Sequence, residues 1–198
     1  MVETAFVGDV HGNLAALDSL VNALAGVGSP PAVFLGDYIN KGSQSREVLA
    51  RLIEHQESGW ATLLAGNHEI EMLRALDTGD ITAFLKMGGA VTIRSYVGSQ
   101  VPADVAAAFR ARVPSDHVAA LRSMKSAFET SDVVAGHHPS ADTEKFNVSA
   151  HVPVGARPRV TETSAEIDTG CGSGGPLTAF LWPGRTYLQV DTTGARLP

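Results

Sequence analysis

The first third of the chain repeats one pattern three times: a short apolar run that ends in glycine and a cluster of polar residues. Thr4-Ala5-Phe6-Val7 leads into Gly8-Asp9-Val10-His11-Gly12, and Ala32-Val33-Phe34-Leu35 into Gly36-Asp37-Tyr38-Ile39-Asn40-Lys41-Gly42. Ala61-Thr62-Leu63-Leu64-Ala65 leads into Gly66-Asn67-His68-Glu69. Short apolar runs bounded by glycine predict strands buried on both faces. Leu14, Leu17, Leu20, Val21 and Leu24 after the first run, and Val48, Leu49, Leu52 and Ile53 after the second, each share one face of a helix. Strand, polar loop and helix in this succession predict a parallel βαβαβ arrangement.

From about Glu69 to Met124 the pattern is helical. It breaks at Gly88-Gly89, and two alanine-rich helices, Val105 to Arg112 and His117 to Met124, each follow a proline. Strand character returns at Val133-Val134-Ala135, ahead of Gly136-His137-His138. Further β-like runs cover Asn147–Ser149, Glu166-Ile167, Leu177–Leu181 and Tyr187–Val190, with Pro183-Gly184 as a turn between the last two. The C-terminal third is therefore expected to form a second, largely antiparallel sheet. His55 and His117 fall in helical patterns away from the polar clusters and are expected on the surface.

A length of 198 residues predicts one domain, residues 1–198, long enough to bury a core. Hydrophobic residues at 44% and charged residues at 18% exclude a disordered chain. Met1-Val2-Glu3-Thr4 lacks the basic start and apolar stretch of a secretory leader, and no run approaches the ~20 apolar residues of a membrane span. A lone cysteine, Cys171, read as a small buried residue, fits a reducing compartment, so the expected location is cytoplasmic. A net charge of −6 is a poor footprint for nucleic acid or anionic lipid, and neither nucleic acid nor a membrane is expected as a partner.

The chemistry lies at the ends of the apolar runs, where α/β folds build their sites. Those positions hold Asp9 and His11, Asp37, Asn67 and His68, and His137. Carboxylates with neutral imidazoles are ligands for hard to borderline divalent cations. Two such ions against two aspartates leave a local charge of about +2, matched to a phosphate dianion.

The three blocks resemble those of calcineurin-like metallophosphoesterases, most closely the phosphoprotein-phosphatase branch with its bacterial, phage and diadenosine-tetraphosphatase members. The resemblance runs on in order through Phe84–Gly89 with Thr92–Tyr96, Ser149-Ala150-His151-Val152-Pro153, and Ile167–Gly172 with Gly174–Ala179. It implies an α/β sandwich of two packed sheets flanked by helices, and a metal-dependent phosphatase or phosphoesterase with a dinuclear centre of Mn, Fe or Zn, Mn favoured. Asp9, His11 and Asp37 would hold one ion; Asp37 would bridge to a second, completed by Asn67, His137 and His151. His138 competes with His137 should the register shift by one. A metal-bound hydroxide would attack a phosphate ester or anhydride, with His68 as general acid. Asp168 reads equally as a partner to a ligand histidine or as a turn residue.

Three departures from the family pattern bear on the substrate. Asn40 stands where the family has an aspartate that pairs with the catalytic histidine; it can orient His68 but brings no charge. Lys41 stands for an arginine, keeping the charge but losing the bidentate fork. Thirteen residues separate His137 from His151, with Lys145 the one lysine or arginine among them, where the family places an arginine-bearing segment. Arg157 or Arg159 is expected to supply the missing phosphate contact, unless both are solvated loop residues. A weakened general acid favours anhydrides or aryl phosphates over alkyl phosphates, on a small molecule, nucleotide or phosphoprotein. The rival is a catalytically weak metal- or phosphate-binding protein of the same fold.

Overall fold

Thr4–Val7 forms strand β1, whose alternate side chains enter two different cores: Ala5 and Val7 on one side, Phe6 on the other. The same division holds in β2 (Ala32–Phe34), where Ala32 and Phe34 oppose Val33. This is why the runs read as continuously apolar: both faces of the sheet are covered. The computed structural model describes residues 3–141 and 143–198; Met1 and Val2, part of the stretch read for a leader, and Asp142 lie outside them. β1, β2 and β3 (Ala61–Leu63) pair in parallel, connected through α1 (Leu14–Ala25) and α2 (Ser45–Glu57), as expected.

A helical block follows: α3 (Asn67–Thr78), α4 (Thr82–Lys86), α5 (Ala90–Val97), α6 (Val105–Arg112) and α7 (Ser115–Ser123). Its apolar faces join those of α1 and α2 in one core against the first sheet, with Phe84 stacked on Phe109 at its centre. His117 belongs to this core rather than to the surface. It is 4% exposed, and its Nδ1 accepts the Tyr96 hydroxyl at 2.7 Å, since a neutral imidazole nitrogen can satisfy a buried phenol. His55 is half-buried, edge-on to Trp60. Helical periodicity alone does not distinguish such positions, because a polar residue can be buried once a partner is supplied from another helix.

The C-terminal third divides between two sheets, which corrects the expected single antiparallel one. β4 (Ala127–Glu129), β5 (Val133–Gly136), β6 (Phe146–Ser149), β7 (Arg159–Val160) and β8 (Ser164–Glu166) form the second sheet in the order β4-β5-β6-β8-β7, with β5, β6 and β8 parallel. β9 (Leu177–Trp182) and β10 (Thr186–Val190) instead return to the first sheet, β9 running antiparallel beside β1. Phe6, Val33, Leu35 and Phe180 from the first sheet meet Val133, Ala135, Phe146, Val148 and Ala165 from the second in a separate core. The result is two packed mixed sheets with helices on the far face of the first. Among the described residues no helix is long and apolar enough to cross a membrane.

Candidate metal centre

The parallel strands of both sheets end at one place, and the ligand-type side chains sit on the loops that leave them. Asp9 and His11 follow β1, Asp37 follows β2, Asn67 and His68 open α3 after β3, His137 follows β5 and His151 follows β6. Asp9, His11, Asp37, His68 and His137 are all buried. Asp37 lies centrally: its Oδ2 is 3.6 Å from Nε2 of both His11 and His68, and its Oδ1 is 3.3 Å from His137 Nε2. His11 Nε2 is 3.5 Å from Asp9 Oδ2, and His137 Nε2 is 2.9 Å from Asn67 Oδ1 and 3.0 Å from His151 Nδ1.

The backbone is bent to allow this. His11, Asp37, Asn40, Lys41 and His151 have φ of 48°, 54°, 68°, 61° and 71°, a region that costs a non-glycine residue about 1–3 kcal/mol. The first two loops hold each other there: Val10 and His11 N–H donate to the Asp37 carbonyl, Gly12 N–H to that of Tyr38, and Gly42 N–H to that of His11. Glu69, fully buried, accepts the N–H groups of Asp37 at 2.7 Å, Tyr38 at 2.9 Å and Gly66 at 3.0 Å. Gly172 packs so closely that a Cβ there would run into the His11 ring and the Lys41 side chain.

The donor set fits divalent cations. His11 Nδ1–H donates to the Ile39 carbonyl at 2.9 Å and His137 Nδ1–H to that of Leu35 at 3.0 Å. Each anchor leaves the Nε2 lone pair to face the cluster, the arrangement of a metal-binding histidine, with Lys41 Nζ occupying that of His11 in this structure. Asp9 Oδ2 is buried without a hydrogen-bond partner. Burial, with the Glu69 and Asp9 charges beside it, pushes Asp37 up to about 8. Burial and Asp168 raise Asp9 well above the carboxylate range. Burial holds His137 down to about 3, with His151 and His138 adding to the effect, so its nitrogen is unprotonated and free to bind. Burial penalises the ionised form of both carboxylates, and a divalent cation set between them and the unprotonated imidazoles would remove that penalty.

Two neighbouring side chains contact the histidines of the cluster. Lys41 Nζ donates to His11 Nε2 at 2.9 Å. Asn40 Nδ2 donates to His68 Nδ1 at 2.5 Å and lies 3.4 Å from the Met87 carbonyl, while Asn40 Oδ1 accepts the Thr92 hydroxyl at 2.6 Å. The Met87 carbonyl requires a donor on that side, which fixes the amide with its nitrogen toward His68. Burial lowers His68 to about 3, reinforced by His11, Lys41 and His151.

Nine of the expected residues thus come together. Arg157 and Arg159 do not: both are exposed, Arg159 pairs with Glu166 at 3.0 Å, and among the described residues neither contacts the cluster. Asp168 is buried, and its carboxylate accepts Gly170 N–H, which makes it a turn residue whose charge is felt at Asp9 and His151. Cys171 is buried, its thiol pushed up to about 12 by burial and by Asp168 and Asp9. Sequence reasoning assigned no role to Glu69, Thr92 or Ser45, although all three brace the loop of Asp37 and Asn40. Glu69 left a signal by standing inside the third block, and Thr92 by standing in the resembling segment Thr92–Tyr96; Ser45 left none. Beside His137 and His138 opens a cleft of about 460 Å³, walled by Ile70, Leu73, Leu121 and Met124.

Comparison with known proteins agrees with this geometry. The family described as calcineurin-like phosphoesterase matches residues 3–160. Serine/threonine-protein phosphatase 2 of Escherichia coli is 37% identical over 84 residues, 42% of this chain and 37% of that protein, so the chain matches well under half of that relative. The asymmetrical bis(5'-nucleosyl)-tetraphosphatase PrpE of Bacillus velezensis is 24% identical over 197 residues, covering 81% of this chain and 78% of the relative. Among solved structures, the cold-active protein-tyrosine phosphatase of a psychrophilic Shewanella superposes with a TM-score of 0.64 at 17% identity, over 100% of this chain and 80% of that one, a likeness of fold.

Proposed function

Because the chain belongs to the calcineurin-like phosphoesterase family, we propose that it is a metal-dependent phosphohydrolase for substrates with good leaving groups, phosphoanhydrides or aryl phosphates. Asp9, His11 and Asp37 would hold one divalent ion, and Asp37, Asn67, His137 and His151 a second, from the set Mn, Fe and Zn. Such ions supply an activated water and positive charge at the phosphoryl oxygens. The side chains around them orient the substrate and handle the leaving group.

The observation that carries the substrate preference is the Asn40–His68 contact. His68 Nδ1 accepts from the Asn40 amide, so the proton of the neutral ring sits on Nε2, facing the cluster and available to a departing oxygen. An imidazolium would set two donors against each other at Nδ1, and Asn40 brings no charge to hold it. A neutral imidazole is a weak acid, adequate where the leaving oxygen needs little proton assistance. Lys41 offers one phosphoryl oxygen a point charge in place of a fork. Relatives named as a serine/threonine phosphatase and as a tetraphosphatase represent the two candidate substrate kinds. The leaving-group argument favours the second.

Stripping the protein with a chelator and restoring Mn²⁺ tests the reading directly. Activity on p-nitrophenyl phosphate and dinucleoside polyphosphates should return with the metal, with kcat/KM well above that on a phosphoserine peptide; equal values overturn the preference. Replacing both Arg157 and Arg159 by alanine should leave KM unchanged, because neither reaches the cluster. The Asn40 and Lys41 replacements also support a second reading, a catalytically weak metal- or phosphate-binding protein. Tight metal uptake without turnover on any of these substrates would favour it.

A further inference from the structure

His137 and His138 are consecutive residues just past the end of β5, and along a continuing strand their side chains would point to opposite faces. Here the chain turns after Gly136 and both imidazoles come to the side where His151 arrives from β6. The three rings form a nearly even triangle: centroids are 5.0 Å apart for His137 and His138, 4.3 Å for His138 and His151, and 4.7 Å for His137 and His151. Interplanar angles of 71°, 65° and 67° set them edge to face, so nitrogens can converge where stacked rings would face one another. One nitrogen from each lies within 4.8 Å of the other two.

Building on the metal-centre reading above, we infer that His138 is a further ligand of the second ion, making that subsite a three-histidine site selective for zinc-like ions. Neighbouring nitrogens on one ion with bonds of about 2.0–2.1 Å are separated by ~3 Å, so a modest inward movement is required. His138 can make it. The side chain is exposed, and among the described residues its ring has no hydrogen bond to break. The two subsites then differ in kind. The first offers the oxygens of Asp9 and Asp37 with the single nitrogen of His11. The second offers three imidazole nitrogens beside the oxygens of Asp37 and Asn67. Nitrogen-rich sites favour Zn²⁺ and Co²⁺, whereas oxygen-rich ones suit Mn²⁺ and Mg²⁺.

The test is metal binding to chelator-stripped full-length protein, read by competition titration with Zn²⁺ and Mn²⁺ and by the visible spectrum of bound Co²⁺. His138→Ala and His138→Gln should each weaken the tightest Zn²⁺ site by about 10–100-fold, the scale on which a metal site responds to loss of a fixed partner. Both should shift the Co²⁺ ligand-field bands and leave Mn²⁺ affinity within twofold. Because His138 is exposed, the thermal midpoint of the metal-free variants should match the parent. Unchanged Zn²⁺ affinity and Co²⁺ spectrum in both variants overturn the role of His138 while leaving the metal centre standing. Failure of the parent protein to bind either ion, with His137→Ala equally inert, overturns the centre and this inference together.

Discussion

At the scale of single residues, the centre depends on groups that would never touch a substrate. Glu69 accepts three backbone N–H groups from the loops that carry Asp37 and Asn67, and burial raises its own pKa against those same hydrogen bonds. Glu69→Ala would leave three buried donors unpaired, at a cost of about 3–5 kcal/mol. Glu69→Gln, with one carbonyl oxygen left to accept, should recover part of that; urea midpoints read both. Asn40 acts at the same scale but on chemistry. Asn40→Asp would place a carboxylate against His68 Nδ1, stabilise the imidazolium and strengthen the proton donor. Its kcat/KM on a phosphoserine peptide should rise by roughly 10–100-fold against p-nitrophenyl phosphate, a fraction of the 10²–10⁴ that general acids contribute. A uniform change on both substrates would argue that Asn40 only positions the ring. Gly172 sets the tolerance on the opposite side: Gly172→Ala should displace His11 and Lys41 and weaken metal binding in a chelator competition.

At the scale of elements, the parallel strands of the first sheet are legible locally, whereas β4 and β7, short and without a clear apolar run, are not. β1, β2 and β3 announce themselves because each is a complete apolar run with its own polar loop, and the loop residues carry the cluster. Strand direction is different. β6, β8 and β9 are short runs whose periodicity is the same whichever neighbour they choose. Their pairing is decided by distant residues such as Phe180 meeting Phe146, so the two-sheet division of the C-terminal third was not legible. The brace on Asn40 was hidden for the same reason, since Thr92 lies on α5, far along the chain from the loop it holds. So was the buried partnership between α5 and α7. There, burial lowers the His117 pKa below 6.5, and Tyr96 donates to the unprotonated nitrogen. A depressed folded-state pKa contributes stability that is complete above 6.5 and lost as pH falls below it. Between pH 7 and pH 5 the urea midpoint of His117→Gln, which keeps an acceptor for Tyr96 but does not titrate, should therefore rise relative to that of the parent.

At the scale of the whole molecule, the centre exists only where two sheets end together. Asp9, Asp37 and Asn67 come from the first sheet, His137 and His151 from the second, and the apolar core between the sheets fixes the distance separating them. β9 secures that core twice over. It covers the free edge of β1 along Thr4–Val7, and it carries Phe180 and Trp182, which stack on Phe146 of the second sheet. A chain ended after Gly175 would keep every side chain proposed to hold metal yet lose both functions. It should be recovered aggregated rather than monomeric by size exclusion, since an uncovered edge strand pairs with other chains. The order of synthesis follows from the same strand. A ribosome delivers Asp9 through His151 before it delivers β9, so the nascent chain waits with the residues of the cluster complete and its first sheet open. Metal loading should then wait for β9, and a nascent chain stalled before that strand has emerged should depend on chaperones and take up little metal.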